Sequence, residues 1–134
     1  MMISNARLLF DTHAFLSYFN KERGSETIKH LMDAIQSEES QGFVATISLT
    51  ELAYIYSRRA DKASASLRVS QIQHSKLNII PLTAEIAIHA GILKQKGISV
   101  ADAIIAASAL SVNASVVTND PHFSAMDIPV VHYP

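Results

Sequence analysis

The chain has 134 residues and a mass of 14.6 kDa, which suits a single domain spanning 1–134, and its 49% apolar content is enough for an ordinary hydrophobic core. Eleven Lys and Arg against twelve Asp and Glu leave a formal charge of −1, which argues against a strongly basic nucleic-acid binder and against an acidic tail. Without Cys there are no disulfides, thiolate zinc sites or cysteine nucleophiles, and four Gly and four Pro are too few for a turn-rich all-β chain.

The first ten residues, MMISNARLLF, break any apolar leader with Ser, Asn and Arg. The oiliest stretch, 103–117, is shorter than the ~20 residues of a membrane span. A soluble, cytoplasmic protein with no membrane partner is the expectation. RLLF at 7–10 predicts a buried strand ending at Asp11, and 12–20 a short helix. Ser25 is expected to cap the next helix, in which Ile28, Leu31, Met32 and Ile35 recur at helical spacing. Gly42 breaks that pattern, and 43–47 reads as a second buried strand. Leu49, Leu52, Ala53 and Tyr56 then repeat the helical stripe up to Arg58 and Arg59.

Residues 61–75 predict another helix, and Asn78, Ile79 and Ile80, stopped by Pro81, a third strand. Thr83 starts a helix through Ile86, Ala90 and Leu93. Residues 100–112 are apolar on nearly every face, as in a central buried helix. A fourth strand follows at 115–118 and a short edge strand at 130–132. Strands alternating with helices, without hairpin signals, predict a three-layer α/β/α sandwich around a mostly parallel sheet of four to five strands. Ligands of such sheets sit beyond the carboxyl ends of the strands.

Four acids are predicted at that rim. Asp11 follows the first strand, Glu51 lies in the first turn of the helix after the second, Asp102 lies in the first turn of the buried helix, and Asp120 follows the fourth strand. Each has a structural reading as well: Ser48-Leu49-Thr50-Glu51 and Ser99-Val100-Ala101-Asp102 are capping-box patterns, Asp11 suits a helix N-cap, and Asn119-Asp120-Pro121 suits a turn. Together they ask for more, because several partly buried carboxylates repel one another unless a cation joins them. Oxygen ligands, with no Cys and no paired-His spacing, point to Mg²⁺ or Mn²⁺, and carboxylate-held ions of this kind suit phosphodiester hydrolysis.

LLFDTHAFLSYF around Asp11, TISLTELAYIY around Glu51, PLTAEIAIHAGIL before the third acid, ISVADAIIAASAL around Asp102 and SVVTNDPHF around Asp120 resemble, in order and over nearly the whole chain, a PIN-domain ribonuclease of the VapC toxin type. The resemblance implies an acidic pocket of Asp11, Glu51, Asp102 and Asp120. Asp11 and Asp102 are then the principal ligands of Mg²⁺ (or Mn²⁺), and Glu51 and Asp120 bind its waters or a second ion. Thr118 is the hydroxyl residue beside the pocket, with Thr12 and Asn119 near it. Many relatives carry their last acid immediately before the Phe of the final motif, where this chain has His122. The resemblance further implies cleavage of RNA, a homodimer, and inhibition by a small VapB-like antitoxin.

Other readings stay open at this level. A housekeeping PIN nuclease of RNA processing shares these residues. Leu9-Phe10-Asp11-Thr12 also resembles phosphotransferases with a strand-end Asp nucleophile, although their second Asp is replaced here by His13. A non-catalytic scaffold is the third alternative, and the four filled acidic positions speak against it. Arg58, Arg59 and Lys62 form the densest basic cluster, read first as a solvated helix end and second as a contact for RNA phosphates. Without the four acids, eight acids face eleven bases, so the acidic pocket would sit in a body of charge +3.

Overall fold

A computed structural model describes residues 5–134; the leader reading of the first ten residues falls partly on 1–4, outside the described residues. Five parallel strands form one sheet in the order β3-β2-β1-β4-β5: β1 (Arg7–Phe10), β2 (Gln41–Ala45), β3 (Asn78–Ile80), β4 (Ser115–Thr118) and β5 (Val130–His132). Helices α1 (Thr12–Phe19) and α2 (Ser25–Gln36) join β1 to β2, and α3 (Thr46–Arg59) and α4 (Lys62–Gln73) join β2 to β3. Then α5 (Ala84–Leu93) and α6 (Val100–Ser111) lead to β4, and the four-residue α7 (His122–Ala125) leads to β5.

The three layers follow from the two-residue period of the strands. Leu9, Phe43, Ala45 and Val116 point to the face covered by α5, α6 and α7. Leu8, Phe10, Val44 and Val117 point to the face covered by α1, α2, α3 and α4. Because both faces are covered, the strands read as continuous apolar runs without polar alternation. Helix α6 lies deepest, with every residue from Ala103 to Ala109 buried. Among the described residues no helix is long and apolar enough to cross a membrane.

Several boundaries differ from the sequence reading: β2 begins at Gln41 rather than at 43, α4 ends at Gln73 rather than at 75, and the short α7 is not among the expected helices. Strand β2 ends at Ala45, two residues earlier than expected, and α3 begins at Thr46. The parallel pairing with β3 stops at Ala45↔Ile80, and the Thr46 hydroxyl donates to the Ile80 carbonyl at 2.5 Å, which closes the ladder's end. The N-cap of α2 is Gly24 rather than Ser25. Gly24 has φ +88°, and a Cβ there would stand 2.6 Å from the Tyr133 ring, so a side chain is excluded on both counts.

The sheet order also creates the crevice. The chain leaves β1 for β2 and β3 on one side, then returns to β4 on the other side of β1. Helix α1, leaving β1, packs on one face, while α7, leaving β4, packs on the opposite face. The carboxyl ends of β1 and β4 are therefore the topological switch point.

Candidate active site

Asp11, at the end of β1, is 3% exposed. Its Oδ1 caps α1 by accepting the Ala14 N–H at 2.7 Å, and its Oδ2 accepts the Thr118 hydroxyl at 2.5 Å. The same Thr118 oxygen accepts the Asp120 N–H at 2.9 Å, so one fully buried threonine ties the acid after β1 to the acid after β4. Burial pushes the Asp11 carboxyl up from 3.8 to about 6; its two hydrogen bonds and His13 pull it down, and Asp102 adds repulsion.

Asp102 sits in the first turn of α6, where the Ser99 side chain caps the helix by accepting the Asp102 N–H at 3.0 Å. The N-cap half of the expected box is thus formed, and the carboxyl stays close enough to Asp120 and Glu51 to feel their charges. Desolvation raises the Asp102 carboxyl first, and the charges of Asp120 and Glu51 raise it further. Asp102 is the hub of the group: the charges of Asp120 and Glu51 raise its carboxyl, and its own charge adds to the rise at Asp11.

Glu51 corrects the sequence reading. Because α3 starts at Thr46, Glu51 lies in its second turn and the Ser48-to-Glu51 capping box does not form. Its Oε1 instead accepts the Thr12 hydroxyl at 2.6 Å, and Thr12 lies 3.0 Å from the fully buried Ser48 hydroxyl. A hydroxyl has one proton, so with Thr12 donating to Glu51, Ser48 is the donor to Thr12. Sequence reasoning missed Ser48, which had been absorbed into the supposed cap. Asn119 is exposed beside Thr118.

Of the six histidines, His122 joins the acids. Its Nδ1 is 3.2 Å from Asp120 Oδ1 and 4.0 Å from Asp102 Oδ2, and one ligand atom from each of the three lies within 4.8 Å of the others. The Asp120 Oδ1 also accepts the His122 backbone N–H at 2.8 Å, the turn expected of Asn-Asp-Pro. Among the described residues no lysine or arginine forms an ion pair with any of the four acids. This oxygen-rich, under-neutralised and partly dehydrated donor set fits a hard divalent cation.

Arg58 and Arg68 lie over aromatic rings. Arg58 lies over the Tyr54 ring at 5.3 Å, on an exposed helix end about 10 Å along α3 from Glu51. Arg68 stacks on Phe19 at 4.7 Å and Tyr56 at 5.7 Å, and the Tyr56 hydroxyl donates to Asn20 at 3.0 Å. A cleft of about 890 Å³ opens between α2 and α4, and none of the four acids lines it.

A parallel sheet with acids at its switch point narrows the class, and a family profile names it. The PIN domain profile matches residues 8–129, and the chain belongs to the PIN-domain family. Among solved structures it is similar to VapBC2 from Rickettsia felis bound to a DNA fragment from their promoter, with 22% identity, 96% of this chain and 99% of that one covered, and a TM-score of 0.79. It is similar to VapC20 from Mycobacterium tuberculosis, a sarcin-ricin loop cleaving toxin (18% identity, 95% and 99% covered, TM-score 0.76). DNA-bound VapBC from Salmonella typhimurium is similar too (22% identity, 95% and 98% covered, TM-score 0.72). At these identities the likeness is one of fold. No curated protein sequence matches the chain.

Proposed function

We propose that this protein is a Mg²⁺- or Mn²⁺-dependent endoribonuclease that hydrolyses RNA phosphodiester bonds, and that it is the toxin half of a toxin–antitoxin pair acting in the cytoplasm. One observation carries the reading: at the switch point of a PIN fold Asp102 and Asp120 lie together, Asp11 and Glu51 are near enough for their charges to couple with Asp102, and among the described residues no lysine or arginine pairs with any of the four. Asp11 and Asp102 would hold the ion, with Asp120 and Glu51 completing its surroundings. Bound there, a divalent ion supplies positive charge to the scissile phosphate and lowers the pKa of water. The chain's own work is positional. Thr118 holds Asp11 and Asp120 in register, and Ser48 and Thr12 hold Glu51 toward the rim.

The likeness to a sarcin-ricin loop cleaving toxin supports RNA as the substrate, and the likeness to VapBC assemblies supports a small VapB-like antitoxin as partner. A homodimer fits the exposed apolar face of α5, where Ile88 and Ile92, one turn apart, are 66% and 77% exposed. The test is a divalent-cation titration on mixed RNA. Cleavage should require Mg²⁺ or Mn²⁺ and stop in EDTA, and Asp102→Asn should lower it at least about a hundredfold. Undiminished cleavage in EDTA, or full cleavage by the variant, overturns the mechanism. Growth arrest on expression, relieved by the neighbouring small reading frame, checks the toxin role; harmless overexpression points to RNA processing instead.

A further inference from the structure

We propose that His122 is a direct nitrogen ligand, through Nδ1, of the divalent ion assigned above to Asp11 and Asp102, on the side where Asp120 faces Asp102, and that this donor biases the protein toward Mn²⁺ over Mg²⁺. The inference rests on the metal-dependent reading above and deepens it by naming the ion. Ligands about 2.1 Å from an octahedral ion stand about 3.0 Å apart when adjacent and about 4.2 Å apart when opposite. The Nδ1 separations of 3.2 Å from Asp120 Oδ1 and 4.0 Å from Asp102 Oδ2 fall in that range. The ring is placed by its backbone: the His122 N–H is bound to Asp120, and the next residue, Phe123, is fully buried as an anchor. Nδ1 faces the two carboxylates, so the nitrogen nearest them is the one on offer. The His122 side chain is 48% exposed and those of both acids 25%, so solvent ions reach the site.

Donor chemistry sets the consequence. Mg²⁺ takes oxygen ligands and parts with its waters reluctantly, whereas imidazole nitrogen suits transition-metal ions. The competing role for His122 is that of a protonated partner balancing two carboxylates.

Asparagine separates the two roles. Its Oδ1 is as many bonds from the backbone as histidine Nδ1, so His122→Asn exchanges nitrogen for oxygen at nearly the same point without adding charge. Calorimetric titration of the full chain with Mn²⁺ and with Mg²⁺ should show the ratio of Mn²⁺ to Mg²⁺ affinity falling about tenfold or more in His122→Asn. Pulsed EPR of the Mn²⁺-loaded wild type should show a directly coupled ¹⁴N that is lost in the variant, with circular dichroism confirming an unchanged fold. An unchanged affinity ratio, or no ¹⁴N coupling in the wild type, overturns the proposal. If Mn²⁺ still binds and Asp102→Asn still weakens it, the metal-dependent reading survives that failure. If Mn²⁺ does not bind at all, both fall.

Discussion

Asp11→Asn should make the protein more stable while removing its activity. The Asp11 carboxyl rises from 3.8 to about 6 in the folded chain, chiefly because burial disfavours its charge. A group whose folded value is raised contributes stability that is fully present below its unfolded value and is lost as pH rises through the folded one. At about 1.4 kcal/mol per pH unit, ionised Asp11 therefore costs the metal-free fold about 3 kcal/mol above pH 7. Asparagine removes that cost and still caps α1, since its carbonyl oxygen can accept the Ala14 N–H. Its amide cannot accept the Thr118 hydroxyl, which must turn away, at a cost of about 1 kcal/mol.

The net gain is about 2 kcal/mol at pH 8 in EDTA, or about 7 °C in melting temperature for a chain of this length. As pH falls the advantage shrinks, and below about pH 4.5 the variant becomes the less stable of the two. Thermal unfolding of both proteins in EDTA, from pH 4 to pH 8, measures this directly. Added Mg²⁺ should stabilise the wild type and not the variant. A variant no more stable than wild type at pH 8, or a difference that does not change with pH, refutes the account of Asp11 as a desolvated, under-neutralised carboxylate.

Three further outcomes are expected. Divalent-ion affinity should fall about tenfold per pH unit below about pH 6, because Asp11 must lose a proton to bind, and calorimetry between pH 5 and 8 reads the slope. Thr12→Val should lower RNA cleavage about tenfold or more by releasing Glu51, whereas Thr12→Ser, which keeps the hydroxyl, should restore most of it; equal rates for the two variants would dismiss the relay. Gly24→Ala should cost about 2 kcal/mol or more in urea unfolding, from its positive φ and the clash with Tyr133, and an unchanged midpoint would contradict that packing.

The sequence by itself determined the sheet and much of the rim. The apolar residues within 7–10 and 115–118 declared strands covered on both faces, and Asp11 directly after the first and Asp120 two residues after the second marked where those strands end. The oily stretch at 100–112 declared a central helix, and Ser99 three residues before Asp102 declared its start. Such signals are local, because the period of a strand or helix is written in adjacent residues. Tertiary structure decided what depends on pairing. The start of α3 was set by β2 losing its partner at Ile80, 35 residues on, and that shift turned Glu51 from a cap into the acceptor of the Thr12 hydroxyl. His122 carries no metal-ligand spacing in the chain, yet the packing of α7 beside α6 brings its ring to Asp102, 20 residues earlier. Burial, which pushes Asp11 up to about 6, is likewise a property of the assembled layers, since a carboxylate loses its water only when distant segments close over it.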